Sequence, residues 1–266
     1  MNIQTASETP IPPRFGALLK PLNYNIIPFD EAAPERDEPL VDALAMGFAG
    51  ESFYGRDDGF NAPYYTRFAD AYDTVYIRKG VAMRLLRVNE SLAKAGLELY
   101  LLDGHRPISV QQNLWDHFTK VANEKMPDAS AEEKLEYVSF HVSSPTRFDK
   151  NDFTTWPIHS TGGAIDLTLK RKNSNELLPM GGIFDESGPP AKACFYEDIA
   201  EGQRTDGDIA ALKNRRILYH AMREAGFTNN YNEWWHFDYG TQRWANVKQI
   251  ETGLPVKALY PTIELK

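Results

Sequence analysis

Between residues 78 and 103 the spacing of apolar positions changes in a way that predicts a helix followed by a buried strand. In the first part, apolar side chains recur every three or four residues, which is the repeat of one helix face. They are Val81, Leu85, Val88, Leu92 and Ala95. Gly96 then supplies a C-terminal stop, and the run LELYLLD at 97–103 predicts a buried strand.

Similar patterns predict further elements along the chain. Ser130, with Glu133 three residues later, forms a capping box that begins one helix. Other helices are expected at about 108–123 and 208–226, and strands at 163–170 and 233–240. Because helices and strands mix without a regular βαβ rhythm, the expected fold class is α+β: a single domain with a mainly antiparallel central sheet flanked by helices.

The first forty residues differ from the rest in their density of proline. The prolines are Pro10, Pro12, Pro13, Pro21, Pro28, Pro34 and Pro39. This density opposes regular helix and predicts an extended arm. Apolar residues such as Leu18, Leu19 and Phe29 give the arm a surface with which to dock. The chain therefore divides into an arm at 1–40, packed on the domain, and a domain at 41–266.

Composition and charge narrow the functional classes. The 266 residues are 42% hydrophobic and carry a net charge of -8, which argues against a nucleic-acid groove and against attraction to an anionic membrane. A small molecule or a peptide is the expected partner. Cys194 is the one cysteine, so an internal disulfide is excluded. The N-terminus lacks an apolar signal segment, so we expect a cytoplasmic protein, or a periplasmic one if a signal was removed.

The segment HSTGGAID, residues 159–166, carries a histidine and an aspartate seven residues apart. An odd separation directs two side chains to opposite faces of one regular strand, but Gly162 and Gly163 permit a turn between them. His159 can then fold back from the loop while Asp166 points inward from the strand, and both can bind one ion. A lone histidine, or an aspartate after a glycine turn, is ordinarily structural, so this pair alone is weak evidence.

A second segment, EWWH at 233–236, strengthens the case for a metal site. Neither a carboxylate nor a histidine belongs in so aromatic a segment unless it is paired or ligating. A catalytic zinc site needs three protein ligands and leaves the fourth position to water. The spacing suits His236 as the third ligand and Glu233 as the general base beside that water. The alternative for Glu233 is a surface carboxylate before a strand.

The segment DGHRP at 103–107 places an arginine at the exit of the predicted strand, where Pro107 restrains its backbone. Such a fixed cation suits the oxyanion that forms when water attacks a carbonyl. The alternative for Arg106 is an ion pair with Asp103 that stabilises the turn. The remaining histidines are expected to be structural: His105, His117, His141 and His220.

Six segments of the chain, in the order in which the family carries them, resemble those of the VanX-type D-alanyl-D-alanine dipeptidases. These are zinc peptidases of the M15 family, subfamily D, which share their metal-site architecture with D,D-carboxypeptidases and the hedgehog signalling domain. The resemblance extends from about Glu51 to Tyr239, over the segments SFYG, LLDGHRP, HSTGGAIDLTL, PMGGIFD, NRRILYHAMREAGF and EWWH. A set of six ordered segments is far more specific than any one motif.

The resemblance implies a role for each residue singled out above. It implies one Zn²⁺ per chain, bound by His159, Asp166 and His236. Glu233 takes the place of the family's catalytic base, and Arg106 takes the place of the arginine that stabilises the transition state. The chemistry of the residues and the resemblance therefore lead to the same set.

The substrate end of the family pattern is less complete. The resemblance implies that Asp185, in the FD motif, binds the free ammonium group of the substrate. Family members carry a tyrosine and a serine near that group, and the corresponding positions here are Gly47 and Pro157. Two lost hydroxyls would leave more room beside the first side chain, so we expect weaker discrimination there against residues larger than alanine.

The leading hypothesis is zinc-dependent hydrolysis of small free dipeptides, D-alanyl-D-alanine or a related D,D-dipeptide, with a link to the cell wall. One alternative is a D,D- or L,D-carboxypeptidase or endopeptidase that acts on murein peptides. Another is a zinc-stabilised binding domain without catalysis, against which Glu233 and Arg106 argue, because a structural zinc site needs neither a base nor an oxyanion clamp. The expected partner is the dipeptide alone, and the oligomeric state stays open.

Overall fold

The computed structural model describes residues 2–13, 22–142 and 144–265. Its strands are β1 (Leu40–Asp42), β2 (Ala49–Gly50), β3 (Tyr76–Arg78), β4 (Leu97–Asp103), β5 (Ala164–Arg171), β6 (Thr228–Asn229) and β7 (His236–Asp238). They form a five-stranded sheet of order β2-β4-β5-β7-β6 and a small β1-β3 sheet. In the large sheet β2 and β4 pair parallel, and every other pair is antiparallel. The expected α+β fold with a mainly antiparallel sheet is confirmed.

Helices pack against this sheet. The α-helices of the described residues are α1 (Ile3–Glu8), α2 (Lys79–Ala93), α3 (Ile108–Lys125), α4 (Ala131–His141), α5 (Asp206–Glu224) and α6 (Gln242–Thr252). The predicted capping box is present at α4: the Ser130 hydroxyl accepts from the Glu133 N–H, and the Glu133 carboxylate accepts from the Ser130 N–H. No helix in the described ranges is long and apolar enough to cross a lipid bilayer.

The central strand β5 is buried on both faces from Ala164 to Lys170. Its alternation of apolar and polar residues therefore does not separate an inner face from a solvent face. Asp166 and Thr168 share one face, and both are covered. A carboxylate is costly in such a place unless it is paired. The polar face of β5 is thus the first structural sign of a site.

The aromatic segment at 233–240 contains a shorter strand than its composition predicts. Only β7, at His236–Asp238, pairs with neighbouring strands, and Glu233 lies in the turn before it. Gly240 follows in a left-handed conformation, with a φ of 69°. Thr241 then caps α6, a helix whose weak apolar spacing does not announce it. The strand is short because the glycine turns the chain directly into this helix.

The proline-rich arm is anchored in both of its described parts. Near its start, α1 packs against α5. This helix, Ile3–Glu8, precedes the first proline, so the expectation of an arm without regular helix is wrong for these six residues. Further along, Gln242 donates from its Nε2 to the carbonyls of Asn25 and Ile27. Leu18, Leu19 and Pro21 lie outside the described residues. The domain boundary at residue 40 stays a prediction.

Arg78 connects the arm, the core and the C-terminal segment. Its side chain is 1% exposed, and it donates to the backbone carbonyls of Thr161, Glu38 and Pro261. Burial lowers the pKa of this guanidinium to about 10, because its direct acceptors are carbonyls rather than carboxylates. Since Thr161 belongs to the loop that carries His159, Arg78 also holds that loop in place.

We expect Arg78→Met to lower the free energy of unfolding by about 3 kcal/mol or more. Three carbonyls lose their donor, and each unsatisfied buried group costs about 1–3 kcal/mol. Urea unfolding measures the difference from wild type. Arg87→Met, at an exposed position of α2, is the matched control and should change stability by less than about 0.5 kcal/mol. Wild-type stability in Arg78→Met would contradict the connecting role.

Candidate metal centre

Three neighbouring strands place three polar side chains in one row across the sheet. Asp103 on β4 lies opposite Asp166 on β5, and Asp166 lies opposite His236 on β7. Directly opposite residues share a face, with Cβ atoms about 5 Å apart. A bulge in β4 between Leu101 and Asp103 shifts the register by one residue. Without it Leu102 would face Asp166, so the bulge brings Asp103 into the row.

His159 reaches the same point from the loop before β5. A short 3-10 helix, Ile158–Thr161, carries it, and Gly162 follows with a φ of 69°, a conformation that favours glycine. Its Nε2 lies 3.2 Å from His236 Nδ1 and 3.5 Å from Asp166 Oδ2. The expected glycine turn is therefore present, and it folds the histidine back over the aspartate.

His159, Asp166 and His236 together have the geometry of a metal site. One donor atom from each lies within 4.8 Å of the other two, and all three residues are buried. Asp166 Oδ1 lies 3.0 Å from His236 Nδ1, yet no described residue gives it a well-aligned hydrogen bond. Two ring nitrogens and one carboxylate suit tetrahedral zinc with a fourth position for water. The residues present therefore fit the predicted metal.

The ring nitrogens that face away from this point have other partners. His159 Nδ1 lies 2.8 Å from the Gly104 carbonyl and 3.2 Å from Asp103 Oδ2. His236 Nε2 lies 3.2 Å from Asp238 Oδ2. Outer contacts of this kind fix the orientation of each ring and select the nitrogen that is left for a metal. The metal-facing atoms are therefore His159 Nε2 and His236 Nδ1.

The protonation states of His159 and His236 also favour a bound cation. Burial lowers the pKa of His159 to about 3, so its ring is neutral and able to ligate. Burial and the neighbouring Arg243 disfavour a charge on His236, but the carboxylates of Asp238 and Asp166 outweigh them and raise its pKa to about 9. A positive charge is thus favoured between these two carboxylates. A metal ion at the three donor atoms would supply that charge instead of the proton.

Arg106 is held in place on one side of the row. Its Nε and Nη2 donate to Asp103 Oδ2 at 3.0 and 2.8 Å. Its Nη1 donates to Gln111 Oε1 at 3.0 Å, and Nη2 also donates to the Tyr54 hydroxyl at 3.1 Å. The ion pair that was the structural alternative is therefore present. It also holds the guanidinium at the site, with Nη2 3.8 Å from Asp166 Oδ2.

Glu233 borders the three donor residues from the turn before β7. Its Oε2 lies 3.5 Å from His236 Nδ1, and its side chain is 37% exposed, whereas that of His236 is 2% exposed. The carboxylate is thus close to the position where a metal and its water would lie, and it keeps access to solvent. This placement suits a group that exchanges protons.

Asp185 has two partners that sequence reasoning missed. The hydroxyls of Tyr54 and Tyr64 donate to its Oδ2 at 2.6 and 2.7 Å. Within the described residues both hydrogen bonds go to Oδ2, so Oδ1 remains for a ligand. Burial raises the pKa of this carboxyl group to about 6, although the Tyr54 hydrogen bond and Arg106 act to lower it. Its φ of 61° is uncommon outside glycine, and such strain clusters at functional sites.

The two positions at which the sequence suggests lost hydroxyls differ in the structure. Gly47 lies in the turn before β2 and does not line the cavity described below. Gly47 is therefore not the position from which a hydroxyl would reach the substrate, and the hydroxyls that do reach Asp185 come from Tyr54 and Tyr64. Pro157 does line the cavity. The segment SFYG contains Tyr54 and was a usable signal, whereas no motif marks Tyr64.

A cavity of about 80 Å³ lies between these groups, with walls that include Tyr24, Arg106, Asp185, Glu233 and Arg243. Its size suits a small molecule, since one water needs about 10–15 Å³ by the same kind of measure. His141 also lines it, while its Nδ1 contacts the Tyr137 carbonyl. The remaining histidines, which do not face the metal site, have structural contacts: His105 with Ile263, His117 with Tyr64 and His220 with Thr9.

A buried His-Asp-His set, with a carboxylate at its edge and an arginine beside it, is the arrangement of a zinc hydrolase. The chain belongs to the M15 peptidase family, because the family model described as D-ala-D-ala dipeptidase matches residues 41–252. With the donor set above, this membership confirms the expectation of a zinc peptidase.

Several relatives are D-alanyl-D-alanine dipeptidases. The one from Synechocystis sp. is 32% identical over 177 residues, which are 64% of this chain and 71% of that protein. The one from Enterococcus faecium is 28% identical over 202 residues, 74% of this chain and 89% of its own. A solved mutant of the vancomycin resistance D,D-pentapeptidase VanY, in complex with Zn(II), is similar over 88% of this chain and 97% of its own, at 14% identity and a TM-score of 0.42.

We expect His236→Ala to lose its zinc, because two remaining ligands hold the metal poorly. Elemental analysis of the purified variant measures the stoichiometry. The control is His220→Ala on α5, whose Nε2 contacts the Thr9 carbonyl rather than the site, and it should keep one zinc per chain. Full zinc content in His236→Ala would rule out the ligand set.

Proposed function

We propose that this protein is a zinc-dependent dipeptidase that hydrolyses D-alanyl-D-alanine or a closely related D,D-dipeptide. The observation that carries the proposal is one small cavity that holds both a metal-binding set and a partly buried carboxylate, Asp185, with an oxygen left for an ammonium group. Family membership and the activity of the named relatives support the substrate. A link to the cell wall and a cytoplasmic location are further parts of this proposal.

His159, Asp166 and His236 would hold the zinc ion. When bound there, zinc supplies the Lewis acidity that activates a water molecule and polarises the scissile carbonyl. Glu233 takes a proton from the attacking water at its carboxylate and passes it to the leaving amine. Arg106, already fixed by Asp103, donates to the oxyanion as negative charge develops on the carbonyl oxygen.

Asp185 sets the type of substrate in this scheme. Its Oδ1 accepts the free ammonium group of the dipeptide, while Tyr54 and Tyr64 hold Oδ2. A peptide with a blocked N-terminus would bury this carboxylate without a partner, which costs several kcal/mol. The arrangement therefore favours free dipeptides over longer or acylated peptides.

A D,D- or L,D-carboxypeptidase that acts on murein peptides is the second candidate. A larger cavity of about 500 Å³ adjoins the first and shares Asp185, Glu233 and Trp235 with it. This space favours the carboxypeptidase only if Asp185 tolerates an acylated nitrogen beside it. A zinc-stabilised binding domain without catalysis is disfavoured, because it has no use for a general base such as Glu233 at the edge of the metal site.

We expect Glu233→Ala and Arg106→Ala to keep their zinc and to lose at least ~10²-fold in kcat, the scale of a positioned base or an oxyanion donor. Elemental analysis and steady-state kinetics on D-alanyl-D-alanine measure the two properties separately. Loss of zinc from Glu233→Ala would make Glu233 a ligand and would require new roles. Wild-type kcat in both variants would exclude the mechanism.

We expect wild type to cleave D-alanyl-D-alanine and to reject its N-acetylated form. Asp185→Asn should lower kcat/KM for the free dipeptide on the order of 10²-fold, because one partner of a buried charge pair is lost. The same variant should unfold at the wild-type temperature or higher. The raised pKa means that this desolvated carboxylate destabilises the fold increasingly as pH rises from about 4 to about 6, above which the penalty is constant, and asparagine removes that charge.

The two readouts together test the role of Asp185. A residue that merely supports the fold would lose stability along with activity. Efficient cleavage of the acetylated peptide by wild type would remove the ammonium role from Asp185 and favour the carboxypeptidase.

A further inference from the structure

A free dipeptide carries a carboxylate as well as an ammonium group, and the scheme above leaves the carboxylate without a partner. Among the described residues that line the cavity, the arginines are Arg106 and Arg243. Arg106 is already committed to Asp103, Gln111 and the oxyanion. Arg243 is the cation that remains.

Arg243 lies in the first turn of α6, beside the outer edge of His236. Its Nε donates to Asp238 Oδ2 at 2.8 Å, and its Nη2 lies 2.6 Å from His236 Nε2. No described residue accepts a hydrogen bond from Nη1. One edge of the guanidinium is therefore anchored, while Nη1 and the second N–H of Nη2 form the other edge. Such an edge matches the two oxygens of a carboxylate.

Tyr24 of the N-terminal arm forms the wall of the cavity next to Arg243. The guanidinium carbon of Arg243 lies 5.5 Å from the centre of the Tyr24 ring. The arm is held there by Gln242, the neighbour of Arg243, which donates to the carbonyls of Asn25 and Ile27. Tyr24 precedes the family match at 41–252, so this wall lies outside the matched region.

The two charged ends of a dipeptide would thus meet opposite sides of the metal-binding row. Asp185 is connected through the Tyr54 hydroxyl to Arg106 and so to β4, whereas Arg243 binds β7 through Asp238. β5 lies between them. An extended dipeptide spans about 7 Å, so its ammonium and carboxylate groups can contact both sides while its central amide lies over the row.

We propose that Arg243, supported by Tyr24 of the arm, binds the C-terminal carboxylate of the substrate and makes the enzyme specific for peptides with a free C-terminus. This inference rests on the proposed function. It assigns the arm a role in substrate binding. Arg243 is a specificity residue in this scheme and takes no part in proton transfer.

The test compares D-alanyl-D-alanine with its C-terminal amide. Wild type should prefer the free acid on the order of 10²-fold in kcat/KM, the scale of a charge-assisted hydrogen-bond pair. Arg243→Gln should reduce this preference at least ~10-fold, because kcat/KM for the acid falls by more than kcat/KM for the amide. Arg171→Gln, an exposed arginine at the end of β5, is the matched control and should keep the wild-type preference.

The acid-to-amide ratio is taken on one enzyme preparation, so it does not depend on how much zinc a variant retains. This matters because Arg243 also contacts His236 and Asp238. Tyr24→Leu, which removes the ring, is the second variant, and it should lower the ratio about 3-fold or more while leaving zinc content intact. A wild-type ratio in both variants would overturn the inference and leave the dipeptidase proposal in place. Failure of wild type to cleave D-alanyl-D-alanine would overturn both.

Discussion

The buried carboxylate of Asp166, at the centre of the sheet, is the constraint on which the rest of the site depends. It lies on a strand that is covered on both faces, and an unpaired carboxylate in such a place costs several kcal/mol. Its cross-strand neighbours decide whether the charge is tolerated, and these are Asp103 and His236. One of them is a second carboxylate. The row is therefore short of positive charge, and a bound cation would stabilise the fold at the same point where it would do chemistry.

Around the row, arginines and aspartates are paired, and these pairs compensate the negative charge. Arg106 pairs with Asp103 on one side, and Asp238 with Arg243 behind His236 on the other. Each of these outer groups also contacts a metal-facing residue, so the charges that make the row tolerable also orient the donor atoms. Ligands held this way are ordered before the metal arrives, and less entropy is lost on binding. Asp185 is the exception, because in the proposed scheme its strain and its raised pKa serve the substrate rather than the fold.

Sequence reasoning succeeded where geometry depends on residues close together in the chain. His159 and Asp166 are separated by one glycine turn, and Glu233 and His236 by one turn before a strand, so spacing and residue type were enough to nominate them. It failed where register or distant packing decides. Tyr64 reaches Asp185 from 121 residues away, and the placement of Asp103 depends on a bulge that no motif announces. The apolar spacing and the capping box correctly predict the helices α2 to α5. A helical pattern was not recognised in α1 and α6, because short helices carry too few turns to show a repeat.

The segments before and after the family match contact the elements that carry the metal-binding histidines. Ile263 donates from its N–H to the Ser160 carbonyl, and Thr262 donates to the same carbonyl across 102 residues. The C-terminal segment therefore braces the short helix that carries His159. The arm, through Tyr24, packs on Arg243 beside His236. The two histidines lie on short elements that have few hydrogen bonds of their own, a four-residue 3-10 helix and a three-residue strand. Contacts from the two ends of the chain therefore add to strand pairing and to the glycine turn in fixing the separation of the two histidines, so the metal-binding geometry depends on residues far from the ligands in sequence.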